Sequence, residues 1–248
     1  MTFYEKLRSL KAGTERETNG RHIIPRVGGD VIAGISAPRI LDVGAGRGED
    51  LLAIGRRSQQ REPELFAVET FPLSVEFLRK SGVSVCTTDI ERERLPFAER
   101  TFDLVLCNQV LEHVKELFWV VSELCRVTKV GGTLIIGVPN LGSLHNRVSL
   151  VFGHQPPAIH VFGPHVRGFT APGLKNFLER GGILKIERML GGNFYPFPPS
   201  ISRPLSKIVP SLSVSIFLIA RRISAGSFLD IFERPEALEL VDTPYFRG

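Results

Sequence analysis

At 248 residues the chain can bury one sizeable core or at most two small ones. Its hydrophobic share of 43% and charged share of 23% are those of an ordinary globular protein, and no repeat or low-complexity tract interrupts them. The net charge of +5 admits an acidic partner without requiring one, and the scattered cations argue against nucleic acid as the main partner.

In chain order, residues 1–38 read as an N-terminal segment of one or two short helices, punctuated by Gly28-Gly29 and Pro38. Strand and helix signals then alternate. Ile40–Val43 reads as a strand and Glu49–Arg57 as a helix. Leu65–Val68 is a strand, Leu73–Lys80 a helix, Val83–Thr87 and Phe102–Leu106 two further strands. Apolar residues recur at three and four over Leu111–Thr128, which predicts a long amphipathic helix stopped by Gly131-Gly132, and Thr133–Val138 is the next strand. Short apolar strands alternating with amphipathic helices predict a doubly wound, mostly parallel sheet covered on both faces. Leu141–Phe152 and Ala171–Arg180 read as helices, Ile183–Met189 and Val214–Ala220 as strands. The irregular stretch within 141–170 and the Pro-rich connection at 190–212 read as lid segments on the substrate side of a single domain spanning 1–248. The tail carries Phe228, Leu229, Ile231, Phe232, Tyr245 and Phe246, enough apolar surface to dock on the body or to form a homodimer.

Four features fall at the carboxyl ends of successive strands. They are Asp42-Val43-Gly44-Ala45-Gly46-Arg47-Gly48, then Glu69, then Asp89-Ile90, then Asn108-Gln109-Val110-Leu111-Glu112-His113. Glycines between a strand and a helix let backbone approach a ligand closely, and the helix N-terminus adds N–H donors. A carboxylate ending the second strand can accept both hydroxyls of a ribose, and Asp89 can accept from an adenine amino group with Ile90 against the ring. Together these residues resemble the class I S-adenosylmethionine-dependent methyltransferases, over roughly 39–140. The resemblance extends through Leu95-Pro96-Phe97, Thr101–Val105, Leu111-Glu112-His113-Val114, Leu124–Val127 and Gly131–Leu134, a succession similar to the ubiquinone and glycan-modifying branch.

That resemblance implies a Rossmann-like seven-stranded sheet with its last strand antiparallel. It also implies S-adenosyl-L-methionine as cofactor and S-adenosyl-L-homocysteine as product. Asp42, Gly44, Ala45, Gly46 and Gly48 then frame the methionine end, Glu69 holds the ribose, Asp89 and Ile90 the adenine, and Asn108 with Gln109 line the sulfonium side. The acceptor implied is a small molecule, glycan or lipid-like compound methylated on oxygen. His113, His160 and His165 are the candidate bases; His113 reads more simply as a cap or packing residue, and His160 and His165 lie in the irregular stretch that should cover the pocket. Glu112 reads more simply as a helix N-terminal charge. His145 and His154 read as solvated, and Phe152, Phe162 and Phe169 as core or as the floor of an acceptor site.

Three rival readings share parts of the pattern: an RNA methyltransferase, an NAD(P)-dependent oxidoreductase and a non-catalytic cofactor-binding module. The dinucleotide fingerprint needs glycine at 49, where this chain has Glu49. No Asn-Pro-Pro-Tyr-type motif follows strand four. Cys86, Cys107 and Cys125 lie in apolar runs without CxxC spacing, so neither a metal site nor a disulfide framework is expected. Met1–Lys11 lacks an apolar signal core, and no apolar run approaches the ~18–20 residues that span a bilayer. A cytoplasmic location is the resulting expectation.

Overall fold

The computed structural model describes residues 22–233; the expectations for Met1–Lys11 and for Tyr245 and Phe246 lie outside them. The strands are β1 (Arg39–Val43), β2 (Glu64–Val68), β3 (Ser84–Cys86), β4 (Phe102–Asn108), β5 (Thr128–Pro139), β6 (Leu184–Gly192) and β7 (Ser215–Arg222). They form one sheet in the order β3-β2-β1-β4-β5-β7-β6. β7 runs antiparallel to both neighbours, and the other pairings are parallel. The helices are α1 (Ile23–Val31), α2 (Glu49–Arg57), α3 (Pro72–Lys80), α4 (Leu117–Val127), α5 (Leu144–Val151), α6 (Ala171–Arg180) and α7 (Pro199–Ile208). Strand order reverses between β1 and β4, so a crevice opens at their carboxyl ends.

Alternate residues of each strand serve opposite faces, which is why the inner strands β1, β4, β5 and β7 are mostly apolar and buried. Ile40, Leu104, Leu106 and Ile135 pack with Ile24 and Val27 of α1 and Leu51 and Ile54 of α2. Leu41, Val105, Cys107 and Leu134 join Val121 and Leu124 of α4 and Leu174 of α6. Each such side chain contributes about 1.5–3 kcal/mol when fully buried. Phe228 and Ile231, in a 3-10 turn over Phe228–Glu233, are buried in the second of these clusters. This part of the apolar tail therefore docks on its own domain.

Several elements differ from their sequence-based outlines. Gly28 and Gly29 lie inside α1 rather than ending it, and a Cβ on Gly28 would stand 2.5 Å from Ile54 Cδ1. The glycine lets α1 press onto α2. The long helix expected over Leu111–Thr128 starts only at Leu117. The Glu91 carboxylate accepts the N–H groups of Lys115 and Glu116, and the Glu112 carbonyl accepts those of Val166 and Arg167. These distant partners hold 111–116 in turns. Gly131-Gly132 lie within β5, which starts directly after α4. The connection between β6 and β7 contains α7, where an irregular loop was expected.

One buried ion pair fixes the connection that follows β3. Glu123, 4% exposed, accepts from the Leu95 N–H and from Arg126 Nε and Nη2 at 2.7–2.8 Å. Arg126 also donates to the carbonyls of Leu95 and Phe97. Removing one partner strands the other charge. Glu123→Ala should lower the unfolding free energy by about 3 kcal/mol in a denaturant titration, and Glu123→Gln by less; a loss within error for Glu123→Ala would show that the pair does not brace this connection.

Candidate active site

The turn after β1 is built on missing side chains. Gly44, Gly46 and Gly48 have φ of +72°, +55° and +66°, a region other residues rarely adopt. A Cβ on Gly44 would lie 2.5 Å from Val110 Cγ2, and one on Gly48 2.4 Å from Leu78 Cδ2. Gly46 differs, because no atom lies within 4 Å of where its Cβ would be. It faces open space, as a ligand-binding backbone requires. Gly48 caps α2, whose first turn carries Glu49 and Asp50 and whose last carries Arg56 and Arg57, in keeping with the helix dipole.

Glu69, directly after β2, reaches back to this turn. Its Oε2 accepts the Gly46 N–H at 2.6 Å, and its Oε1 accepts those of Thr70 and Phe71. Since each carboxylate oxygen has two acceptor positions, this arrangement leaves one open on Oε2. The expectation that Glu69 takes both ribose hydroxyls is narrowed accordingly: a second hydroxyl must displace a backbone donor. Asp89 follows β3 and is exposed; it accepts the Glu91 N–H at 3.0 Å and lies 3.6 Å from Arg92. Ile90 packs partly against the core.

The end of β4 holds polar atoms without partners. Asn108 Nδ2 donates to Asp50 at 3.0 Å, while Asn108 Oδ1 and Gln109 Nε2 are buried with no hydrogen-bond partner. Gln109 also adopts φ +57°, a strained conformation for a residue with a side chain. An unpartnered buried polar group costs about 1–3 kcal/mol. Asn108 Oδ1 lies over Gly137 of β5, and with Gln109 Nε2 it leaves one acceptor and one donor at this strand end, a pair that suits a ligand with an ammonium and a carboxylate. The chain's residues therefore fit the methionine end of an adenosyl sulfonium cofactor.

Glu112 was expected as a helix N-terminal charge. It is instead 1% exposed, and neither carboxylate oxygen has a hydrogen-bond partner. Burial raises its pKa to about 7. His113 Nε2 lies 3.8 Å from Glu112 Oε1, and the His113 and His165 rings meet edge-on at 4.8 Å. His113 Nδ1 lies 3.2 Å from the Pro164 carbonyl and His165 Nδ1 2.9 Å from that of Ala158. A carbonyl only accepts, so in these contacts both Nδ1 atoms carry a proton, and in the neutral ring Nε2 is the atom left to accept one. Ligand atoms of the three side chains lie within 4.8 Å of one another.

The remaining expected residues separate. His160 is exposed and belongs to the connection that places His165. His145 is not a solvated residue: it is half-buried, bonded to Ser143 and 5.6 Å from the Tyr195 ring. His154 is exposed. Phe169 is core, but Phe152 and Phe162 are 72% and 97% exposed. Burial, then the carboxyls of Glu112 and Asp42, hold the Cys107 thiol well above its ordinary range, which makes it a poor nucleophile. Two residues had no sequence signal. Asp50 orients Asn108, and the fully buried Asn140 gathers Gly142, Asn146, Ser211, Ser213 and Val214 by hydrogen bonds at the end of β5.

Glu112 also sets a pH dependence. Between its ordinary pKa of 4.5 and the folded value of about 7, the folded state keeps a proton that the unfolded state releases. Stability therefore falls as pH rises through that window and stays lower above it. Glu112→Gln should flatten this profile, gaining about 2–3 kcal/mol over the parent between pH 4 and pH 8 in paired denaturant titrations. Parallel profiles would mean that Glu112 is not held neutral.

Comparison with known proteins finds methyltransferases. Residues 41–136 match the family model described as a methyltransferase domain. The mitochondrial ubiquinone biosynthesis O-methyltransferase of Homo sapiens is 30% identical over 168 residues, covering 64% of this chain and 44% of that protein. The chain spans less than half the length of this relative and of its mouse and rat counterparts. A SAM-dependent methyltransferase structure from Aquifex aeolicus aligns with a TM-score of 0.57 at 14% identity, over 89% of this chain and 98% of that one. The cyclase SpnF aligns with a TM-score of 0.55 at 19% identity, over 80% and 81%. At these identities the structural likeness is one of fold. Residues 41–136 thus match a methyltransferase domain, and the sheet order and the order of the motifs agree with that match.

Proposed function

We propose that the chain transfers a methyl group from S-adenosylmethionine to an oxygen of a small-molecule, glycan or lipid-like acceptor. The observation that carries this reading is the adjacency of the glycine turn and the Glu112–His113–His165 cluster. Val110 fills the space over Gly44 two residues before Glu112, and Cys107 feels the carboxyls of both Asp42 and Glu112. This nearness supports a cofactor site and a proton-accepting site in one crevice. The human relative's name carries O-methyl transfer in ubiquinone biosynthesis, which supports an oxygen acceptor.

S-adenosylmethionine supplies a methyl group on a sulfonium leaving group. The protein's part is then alignment, worth up to ~7–11 kcal/mol in well-oriented cases. In this reading the glycine turn seats the methionine end, Asn108 Oδ1 and Gln109 Nε2 receive its charged groups, and Glu69 and Asp89 hold the ribose and adenine. His113 Nε2 or His165 Nε2 accepts the hydroxyl proton of the acceptor, and Glu112, once ionised above about pH 7, steadies an imidazolium at His113. Among the described residues no helix is long and apolar enough to cross a membrane; a cytoplasmic location belongs to the same proposal.

Labelled cofactor offered with lipid-linked sugars, quinol precursors and small RNAs tests the acceptor. Incorporation into a hydroxyl-bearing small molecule or glycan is expected, and incorporation into RNA alone would sink the reading. His113→Ala or His165→Ala should then lower turnover by roughly 10²–10⁴-fold with cofactor affinity retained. Asp89→Ala should weaken cofactor binding by roughly 1–3 kcal/mol in equilibrium dialysis; an unchanged constant removes Asp89 from the site.

A further inference from the structure

We infer that the face formed by α5, the connection over 152–166 and α7 docks onto an anionic lipid bilayer. The inference deepens the proposed function, on which it rests for the acceptor's route into the crevice; bilayer binding itself is measurable without cofactor or acceptor.

The first support is that both helices have their amphipathic faces reversed. In α7, Ser202 and Ser206 are buried at 3% and 4%, while Ile201 and Ile208 are exposed at 47% and 74%. Arg203 and Lys207 are exposed beside those isoleucines. In α5 the one buried side chain is Asn146, and Val148, Leu150 and Val151 are exposed. A water-facing helix carries its polar residues outward. These two present hydrocarbon and cations, the composition of helices that lie in a bilayer interface.

The second support is that the exposed apolar residues are gathered. Most large exposed hydrophobics among the described residues fall within 148–166 and 195–209. Phe152 and Phe162 extend the patch between the two helices. Scattered exposed apolar residues need no explanation, but a gathered set marks a contact surface. The set is joined through Asn140, which bonds Ser211 and Ser213 next to α7 and Asn146 within α5, and through the contact of His145 with Tyr195. Both segments begin near the end of β5, beside the crevice.

The third support selects the partner. No aspartate or glutamate occurs between Glu123 and Glu179 or between Glu187 and Asp230, a span that includes the whole face. Arg147, Arg203 and Lys207 stand exposed on it. His22 continues the field: burial, then Arg203, Arg26 and Lys207 lower its affinity for a proton. A second copy of this chain would set cation against cation, whereas anionic headgroups neutralise the face and acyl chains receive its side chains.

Flotation of the purified chain with phosphatidylcholine vesicles, with and without phosphatidylglycerol, tests this. Recovery with the phosphatidylglycerol vesicles and loss in high salt are expected. Each cation near such a surface is worth a factor of about five, so Arg203→Gln with Lys207→Gln should reduce partitioning by roughly tenfold or more. Phe162→Ser, at a side chain too exposed to affect folding, should reduce it as well, and unchanged S-adenosylmethionine affinity confirms that each variant is folded. No recovery with either vesicle would overturn the inference, as would equal recovery with both. It would also fall if these substitutions dissolved a dimer in sedimentation, which would assign the face to a second copy. A chain that floats but methylates no hydroxyl acceptor contradicts the proposed function and leaves this inference standing.

Discussion

The site depends on three absent Cβ atoms. Val110 and Leu78 occupy the volume that side chains at 44 and 48 would need, so the turn and its packing exist only together. That close packing brings the end of β4 against the turn after β1. Gly46, held by the Glu69 carboxylate, is left facing open space between them. A substitution at 44 or 48 would push β4 and α3 away, whereas one at 46 would fill the ligand's volume directly.

The second consequence is a concentration of unpartnered polar atoms. Asn108 Oδ1, Gln109 Nε2 and both oxygens of Glu112 lie within a few residues of chain, buried, at one strand end. A fold stabilised by two apolar layers tolerates that cost where a ligand relieves it. Glu112 is the extreme member, because its burial places a carboxyl near neutrality beside two imidazoles whose Nδ1 atoms are fixed by backbone carbonyls. Beside the crevice the domain exposes hydrocarbon and cations on α5 and α7.

The sheet and the glycine turn were legible because their causes are local. Strands buried on both faces are mostly apolar runs, and the left-handed glycines have no substitute. Glu69 and Asp89 were legible as acids at strand ends, although the three backbone donors on Glu69 were not. The turns at 111–116 were hidden, since their hydrogen-bond partners, Glu91 and residues 166 and 167, come from elsewhere in the chain. Periodicity there reported an apolar stripe without its first helical residue. For α5 and α7 it reported a period but not a direction, and both helices turn the unexpected side outward. Asn140, which joins the two lid segments, has no periodic signature at all.

The central claim is that the turn over Gly44–Gly48 receives an adenosyl sulfonium. Isothermal titration of S-adenosylmethionine into the parent chain and into Gly46→Val tests it most directly. One saturable site in the parent, abolished in a Gly46→Val chain with unchanged circular dichroism and thermal midpoint, is the predicted result. Absence of binding to the parent, or binding of a nicotinamide dinucleotide in its place, would contradict the account.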